Sequence, residues 1–109
     1  MTNIDALQPA LTALVDPTRR DIFDALRTAP RSVSEIASTQ PVSRPAVSQH
    51  LKVLQDAGLV QVWPKGTRRI YAVRREGLAN LRAYLEQFWD DVLEAYAQEC
   101  ETLQEPQND

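Results

Sequence analysis

The most informative segment of the sequence is residues 43–60, which read SRPAVSQHLKVLQDAGLV. Ser43 is placed to cap the N-terminus of a helix, and Pro45 falls in the first turn, where a missing N–H group costs little. Apolar residues recur along this helix at spacings of four and three, which predicts one buried face. They are Val47, Leu51 and Leu54. Gly58 follows the last turn, as a residue that ends a helix commonly does.

The other faces of this helix carry a dense set of polar side chains. They are Arg44, Ser48, Gln49, Lys52 and Gln55. This composition fits both an ordinary solvent-exposed surface and a surface that recognises a ligand. The segments on either side of the helix are therefore needed to decide between the two.

Three further helices are predicted before this stretch. The first has apolar residues at helical spacing, namely Ile4, Leu7, Leu11 and Leu14. The second has Asp16 as a natural N-cap and Pro17 as its first residue. The third is short, and Ser32 and Glu35 have the spacing of a capping box, in which each side chain satisfies a free amide of the first turn.

A hairpin and a long helix are predicted after it. Residues 60–63 and 69–74 alternate apolar and polar side chains, which is typical of strands. Between them, residues 64–67 contain Pro and Gly and are predicted to form a turn. The last helix runs from about Glu76 to near Thr102. Its apolar residues recur every three or four positions, at Leu78, Leu81, Leu85, Phe88 and Val92. A second apolar line beside them consists of Trp89, Leu93, Tyr96 and Cys100.

This order of elements predicts a winged helix-turn-helix, a mainly α fold with a small β-hairpin in the order α-α-α-α-β-β-α. Residues 1–109 form one domain. The helix-turn-helix covers residues 32–57 and the wing covers residues 59–74. Residues 1–14 and 76–102 form the first and last helices, which we expect to mediate dimerisation.

The charge is divided between the middle and the ends of the chain. Residues 17–75 hold eleven Lys or Arg and four Asp or Glu, whereas the remainder holds one basic and eleven acidic residues. A basic middle of this kind favours a surface that binds a polyanion. Chance clustering of solvated charge is the alternative on this count alone.

In a winged helix, the second helix of the helix-turn-helix lies in the major groove of DNA and the wing lies along the backbone. Arg44 is suited to the guanine acceptors, Gln49 to adenine, and Lys52 to backbone phosphate. For His50, packing and a phosphate contact both remain open. The predicted contacts with double-stranded DNA are Ser43, Arg44, Pro45, Ser48, Gln49, His50 and Lys52 in the helix and Lys65, Thr67, Arg68 and Arg69 in the wing.

The last helix has more apolar surface than one small core needs. At about 25 residues it would be roughly 38 Å long, which exceeds what a domain of this size covers. We therefore predict a two-fold homodimer that places two recognition helices about 34–36 Å apart, one turn of DNA. The predicted interface residues are Ile4, Leu7, Leu11, Leu81, Leu85, Phe88, Trp89 and Val92.

Several classes of protein do not fit the sequence. With one Cys and one His, an internal disulfide is impossible and a four-ligand zinc site is disfavoured. No nucleophile–base pair or phosphate loop is visible, so we expect neither an enzyme nor a cofactor. No apolar run is long enough to span a membrane and no signal peptide is recognisable, so we expect a cytoplasmic protein. We interpret Cys100 as a small apolar residue that packs like its neighbours, and a redox switch is the alternative interpretation.

Three segments together resemble the ArsR-type winged-helix transcriptional repressors. They are DPTRRDIFDAL at 16–26, SRPAVSQHLKVLQDAGLV at 43–60 and KGTRRIYAV at 65–73. The resemblance implies a homodimeric repressor that binds an operator, often that of its own operon. Metal-sensing members carry Cys pairs before the recognition helix or His/Asp/Glu sets on the last helix. This sequence has neither a Cys in the third helix nor a His in the last, so it resembles a metal-independent branch.

A winged-helix module that binds protein and not DNA is the alternative function, because fold alone does not settle function. Such a module has no need of the basic wing or of Arg44 and Lys52, which favour DNA. The sequence leaves open the operator, the regulated genes, any small-molecule effector, and whether the protein represses or activates.

Overall fold

The computed structural model describes residues 4–97 and 99, and it has five helices and a small sheet in this part of the chain. The elements are α1 (Ile4–Ala13), α2 (Pro17–Asp24), β1 (Arg31–Ser32), α3 (Val33–Ala37), α4 (Arg44–Asp56), β2 (Val60–Lys65), β3 (Arg68–Val73) and α5 (Arg75–Ala95). The predicted winged helix-turn-helix is confirmed, with β1 as an addition. The side chain of Ile4 and the whole of Cys100 lie outside the described residues.

Side chains close the N-termini of α2, α3 and α4 as the sequence predicted. The carboxylate of Asp16 accepts the N–H of the third residue of α2 at 3.0 Å. At α3, Ser32 N–H donates to Glu35 Oε1 at 2.8 Å and Glu35 N–H donates to Ser32 Oγ at 3.2 Å, which is a complete capping box. At α4, Ser43 Oγ accepts the N–H of Ala46 at 3.3 Å. Each cap satisfies an amide that the helix leaves free.

Gly58 ends α4 and turns the chain into β2. Its φ of 81° is in the left-handed region that favours glycine. Gly58 N–H donates to Gln55 O and Leu59 N–H donates to Leu54 O, both at 3.0 Å, which is the hydrogen-bond pattern of a Schellman motif. Arg74 N–H then donates to Leu59 O at 2.8 Å, so the start of α5 is tied to this same turn.

The core lies between α1, α2, α3, α4 and the inner face of the sheet. Its members are Ala10, Ala13, Ile22, Leu26, Ile36, Val47, Leu51, Leu54, Leu59, Val60 and Tyr71. The three apolar residues predicted to face inward from α4 are fully buried. The prediction for Leu7 was wrong: its side chain is only 2 % exposed and lies beside Gly58 and Gly77 within the chain, so it has no surface to offer a second copy.

The wing is a hairpin with a two-residue turn. Lys65 pairs with Arg68 across it, which leaves Gly66 and Thr67 as the loop. Gly66 has a φ of 64°, whereas no residue other than glycine has a positive φ in the described chain. This is the pattern of a type II′ turn, whose twist matches that of the flanking strands.

The short strand β1 makes the hairpin a three-stranded antiparallel sheet in the order β1-β3-β2. Arg31 pairs with Tyr71 and Ser32 with Ile70. A strand of two residues is too short for an alternating pattern, which is why the sequence did not predict it. Since β1 runs directly into α3, this pairing places the first turn of α3 beside the wing.

The helix α5 has no buried residue. It packs on the rest of the chain chiefly through α1, and most of its length projects away from the core. The described helix begins one residue before the predicted Glu76 and continues to Ala95, so the predicted end near Thr102 lies outside the described residues. Within the described chain, no helix is both long and apolar enough to cross a bilayer.

Candidate nucleic-acid interface

The recognition helix α4 is fixed from one side and open on the other. Its inner face is buried in the core, and its caps define both ends. The predicted contacts that are exposed on α4 and its N-cap are Ser43, Arg44, Pro45, Ser48, Gln49 and Lys52. A helix held in this way presents its polar face at a set angle to the rest of the domain, which a contact with a groove requires.

Arg44 is oriented by α3. Its guanidinium donates a hydrogen bond to Ser34 Oγ, across the turn of the helix-turn-helix. The guanidinium retains further N–H donors for a ligand, because it has five and this bond uses one. Sequence reasoning missed Ser34, since its role depends on the packing of α3 against α4 and not on a local motif.

Lys52 forms only a weak, exposed ion pair. Its ammonium group lies 3.4 Å from Asp56 Oδ1, one turn further along α4, and its side chain is 72 % exposed. Exposed pairs of this kind contribute little to stability. Lys52 can therefore exchange this contact for an external anion at little cost.

His50 is half-buried and faces the corner between α1 and α2. Its Nδ1 lies 3.5 Å from the guanidinium of Arg19, whose Nε donates to Ala13 O at 2.7 Å. Arg19 thus joins the C-terminal end of α1 to the recognition helix. Of the two roles left open for His50, this position favours packing.

Arg20 also closes the end of α1, since its guanidinium donates to Leu14 O at 3.3 Å. A cation at the C-terminus of a helix is favoured by the helix dipole. Arg19 and Arg20 thus both cap the C-terminal end of α1, a role that the sequence did not predict. Its signal in the sequence was weak, because the donor and acceptor belong to different helices.

The wing places four predicted contact residues at its tip. Lys65, Thr67, Arg68 and Arg69 are all exposed. Arg68 differs from its neighbours because it contacts the body of the domain, with Nη2 3.5 Å from Ser32 Oγ and 3.9 Å from Glu35 Oε1. Trp63 is 39 % exposed and borders a cleft of about 330 Å³ together with Glu35 and Arg68.

Two carboxyl groups near this surface have lowered pKa values. The backbone N–H of Ser32 that donates to Glu35, with further help from the Ser32 hydroxyl and Arg68, lowers the pKa of Glu35 below its ordinary value. The backbone N–H of Arg19 does the same for the pKa of Asp16, aided by the charge of Arg19. Both groups are therefore ionised at neutral pH.

A broad apolar surface runs along α5. Leu85 and Phe88 are each 56 % exposed and Trp89 is 62 % exposed. Leu85 and Trp89 line a groove of about 680 Å³ whose rim carries Arg82 and Glu86, paired at 3.3 Å. In the part of the chain that the structure describes, no three His, Cys, Asp or Glu side chains come together as a metal site would require.

Comparison with known proteins assigns the family. A family model described as a helix-turn-helix domain matches residues 14–62. The HTH-type transcriptional regulator Rv2034 of Mycobacterium tuberculosis is 54 % identical over 89 residues, which are 82 % of this chain and 83 % of that protein. An ArsR-like transcriptional regulator from Rhodococcus sp. RHA1 superposes with a TM-score of 0.75 at 35 % identity, over 87 % of this chain and 92 % of that one. The chain belongs to the ArsR family of winged-helix transcriptional regulators.

A second solved structure bears on assembly. The homodimeric winged helix-turn-helix DNA-binding domain of a possible ArsR-family regulator from Mycobacterium bovis, solved by NMR in solution, is 30 % identical. It matches with a TM-score of 0.66 over 84 % of this chain and 85 % of that one. Membership of the ArsR family, predicted from three segments of sequence, is thereby confirmed.

Proposed function

We propose that this ArsR-family chain is a cytoplasmic transcriptional repressor that binds an inverted-repeat operator as a homodimer and has no catalytic role. The observation that carries the proposal is the recognition helix α4, whose inner face is fully buried while Arg44 and Gln49 project outward from its first two turns. Occupation of a promoter by such a dimer excludes other proteins from the same DNA, which is the simplest form of repression.

The proposed contacts are of two kinds: some read the bases in the major groove, and the others position the protein on the phosphate backbone. Arg44 pairs two donors with guanine and Gln49 pairs with adenine in the major groove. Ser43 and Ser48 contribute hydroxyls beside the positive end of the α4 dipole, which favours phosphate. Lys52 and the wing residues Lys65 and Arg69 neutralise phosphates and fix the orientation of the domain without reading sequence.

The homodimer is proposed to form through α5. Leu85, Phe88 and Trp89 are each more than half exposed on one helix, and a two-fold axis along this face would cover them with the same face of a second copy. Leu11, which is 44 % exposed on α1, extends the surface. Leu81 and Val92 are half-buried on the same side of α5 and complete it. The homodimeric relative from Mycobacterium bovis supports this assembly.

The distribution of charge agrees with that arrangement. The five acidic residues of α5 are exposed on the helix that is assigned to the dimer, and they are Glu76, Glu86, Asp90, Asp91 and Glu94. Five of the twelve basic residues lie on α4 and the wing, namely Arg44, Lys52, Lys65, Arg68 and Arg69. In a dimer joined through α5, the acidic ends would be held away from the phosphates, so the net negative charge of the chain does not oppose binding.

Binding is proposed to be independent of metal, as expected from the sequence. The third and fifth helices lack the soft ligands that a metal-sensing site would need. Added zinc or a chelator is accordingly expected to leave the affinity for the operator unchanged. A change in affinity of tenfold or more with zinc would point to a metal site that involves residues outside the described chain.

The proposal is tested by titrating the purified protein against a duplex that carries the promoter beside its own gene, with footprinting of the bound region. We expect a protected inverted repeat and an affinity that falls steeply with salt, because several phosphates lose their counterions. Arg44→Ala should lower discrimination between the operator and a mutated operator by about 1–3 kcal/mol, whereas Lys65→Ala should weaken all duplexes equally. Absence of affinity for any duplex in dilute buffer would favour a protein-binding module.

A further inference from the structure

The tip of the wing brings two cations face to face. Lys65 and Arg68 are direct partners across the β2–β3 turn, so their side chains lie on the same face of the hairpin. Like charges that lie directly opposite each other destabilise a strand pair. A neighbouring negative charge would therefore offset the repulsion between Lys65 and Arg68 and stabilise the tip of the hairpin.

That negative charge is supplied by α3. Because Ser32 pairs with Ile70, the chain that leaves β1 passes alongside Arg68 and places the first turn of α3 beneath it. Arg68 Nη2 lies 3.9 Å from Glu35 Oε1 and 3.5 Å from Ser32 Oγ. In the described chain, Lys65 makes no ion pair within 4 Å.

The carboxylate of Glu35 is held in place by the capping box, independently of its contact with Arg68. Glu35 Oε1 accepts the Ser32 N–H at 2.8 Å, so the same atom that faces Arg68 is fixed by the capping box. That hydrogen bond also keeps the pKa of Glu35 low, and the carboxyl stays ionised. The ion pair between Arg68 and Glu35 thus joins the tip of the hairpin to the capped N-terminus of α3.

We infer that Arg68 is a positioning residue that fixes the wing to α3 through Glu35 and Ser32, and that it is not a phosphate contact. This role differs from the DNA contact that the sequence predicted for Arg68. The link between the wing and α3 does not depend on the proposed DNA binding, whereas its expected effect on operator affinity rests on that proposal. Since α3 also packs on α4, the link sets the distance between the wing tip and the recognition helix. The wing's phosphate contacts are then Lys65 and Arg69.

Glu35→Gln separates this role from simple electrostatics. Glutamine can still accept the Ser32 N–H and preserve the capping box, but it carries no charge for Arg68. If Glu35 were only an acidic side chain near DNA, its removal would strengthen binding. If Glu35 holds the wing, its removal weakens binding by about two- to fivefold, which is the range that a half-exposed ion pair can bias.

The experiment measures operator affinity over a range of salt concentrations for the wild type, Glu35→Gln, Arg68→Gln, the double variant, and Lys65→Gln as the matched control from the opposite strand. We expect Arg68→Gln to weaken binding with an unchanged salt slope, and Lys65→Gln to reduce the slope by about 0.9, the value for one phosphate. The double variant should be no weaker than Arg68→Gln. A reduced slope for Arg68→Gln, or tighter binding by Glu35→Gln, would overturn the inference.

A second measurement needs no DNA. Backbone ¹⁵N relaxation and amide hydrogen exchange at Gly66 and Thr67 should show a more mobile wing tip in Arg68→Gln and Glu35→Gln but not in Lys65→Gln. If the wild type binds no duplex and this pattern still appears, the proposed function fails while the link stands. If all three variants have the same wing mobility as the wild type, the link is refuted whatever the protein binds.

Discussion

Gly77 in the first turn of α5 lies against the backbone of Gly58 at the end of α4. A Cβ atom built on Gly77 would overlap the carbonyl oxygen of Gly58 and lie 3.4 Å from Leu59 Cα. The obstacle is backbone, and the Schellman motif holds that backbone in place. This contact sets where α5 leaves the domain, and hence the direction of the surface that is assigned to the dimer.

Gly77→Ala should therefore destabilise the protein, although alanine is the better helix former. At an open helical site the exchange would stabilise by up to about 1 kcal/mol, but here we expect a loss of about 1–3 kcal/mol from overpacking. Urea denaturation at fixed protein concentration measures the difference. Ala83→Gly, on the exposed side of α5, is the control for helix propensity alone. Equal or higher stability of Gly77→Ala would show that α5 can shift without cost.

Ser34→Ala should reduce sequence discrimination without changing the salt dependence of binding. The Ser34 hydroxyl accepts a hydrogen bond from Arg44 and so limits the positions that the guanidinium samples before it meets DNA. We expect the ratio of affinities for the operator and for a duplex with its guanine replaced to fall by a few fold. Competition binding with the two duplexes measures that ratio. Ser38→Ala, which removes an exposed hydroxyl at the end of α3, is the control.

The caps and the core face of α4 could be predicted from the sequence because each depends on residues within one or two turns. Asp16, Ser43 and Gly58 all lie where local spacing placed them. The burial pattern of α4 follows from its period in the same way. Such features are decided by the chain a few residues either side, so a single sequence is enough.

The features that could not be predicted depend on which elements meet in space. Leu7 has the spacing of an interface residue, but the turn at Gly58 and the approach of Gly77 enclose it. Likewise, Arg68 and Glu35 are far apart in sequence and meet only because β1 pairs with β3. Net charge and periodicity contain no information about these contacts, because the contacts form only when separate elements pack together.

Leu85→Glu should dissociate the proposed dimer and weaken operator binding together. Leu85 is 56 % exposed at the centre of the α5 surface, and burying a carboxylate against the same residue of a second copy would be strongly unfavourable. Sedimentation equilibrium should show a monomer at micromolar concentration, and the affinity should fall by at least tenfold as the second half-site is lost. Ala83→Glu adds the same charge to another side of α5 and should leave both properties near those of the wild type. A wild-type protein that is monomeric under these conditions would contradict the assembly.

Because of Glu35, the free energy of unfolding should decrease as the pH falls into the acid range. Its hydrogen bonds with Ser32 lower its pKa in the folded state below the ordinary value of 4.5, so the folded state favours the ionised form. The resulting stability is present in full above pH 4.5 and is lost as the pH falls through the lowered folded-state value. Urea denaturation at several pH values between about 6 and 3 should show a shallower decline for Glu35→Gln than for the wild type. Asp16→Asn should act in the same direction, because asparagine remains a good N-cap but does not titrate. Identical pH profiles for Glu35→Gln and the wild type would mean that the carboxylate of Glu35 is no better accommodated in the folded chain than in the unfolded one.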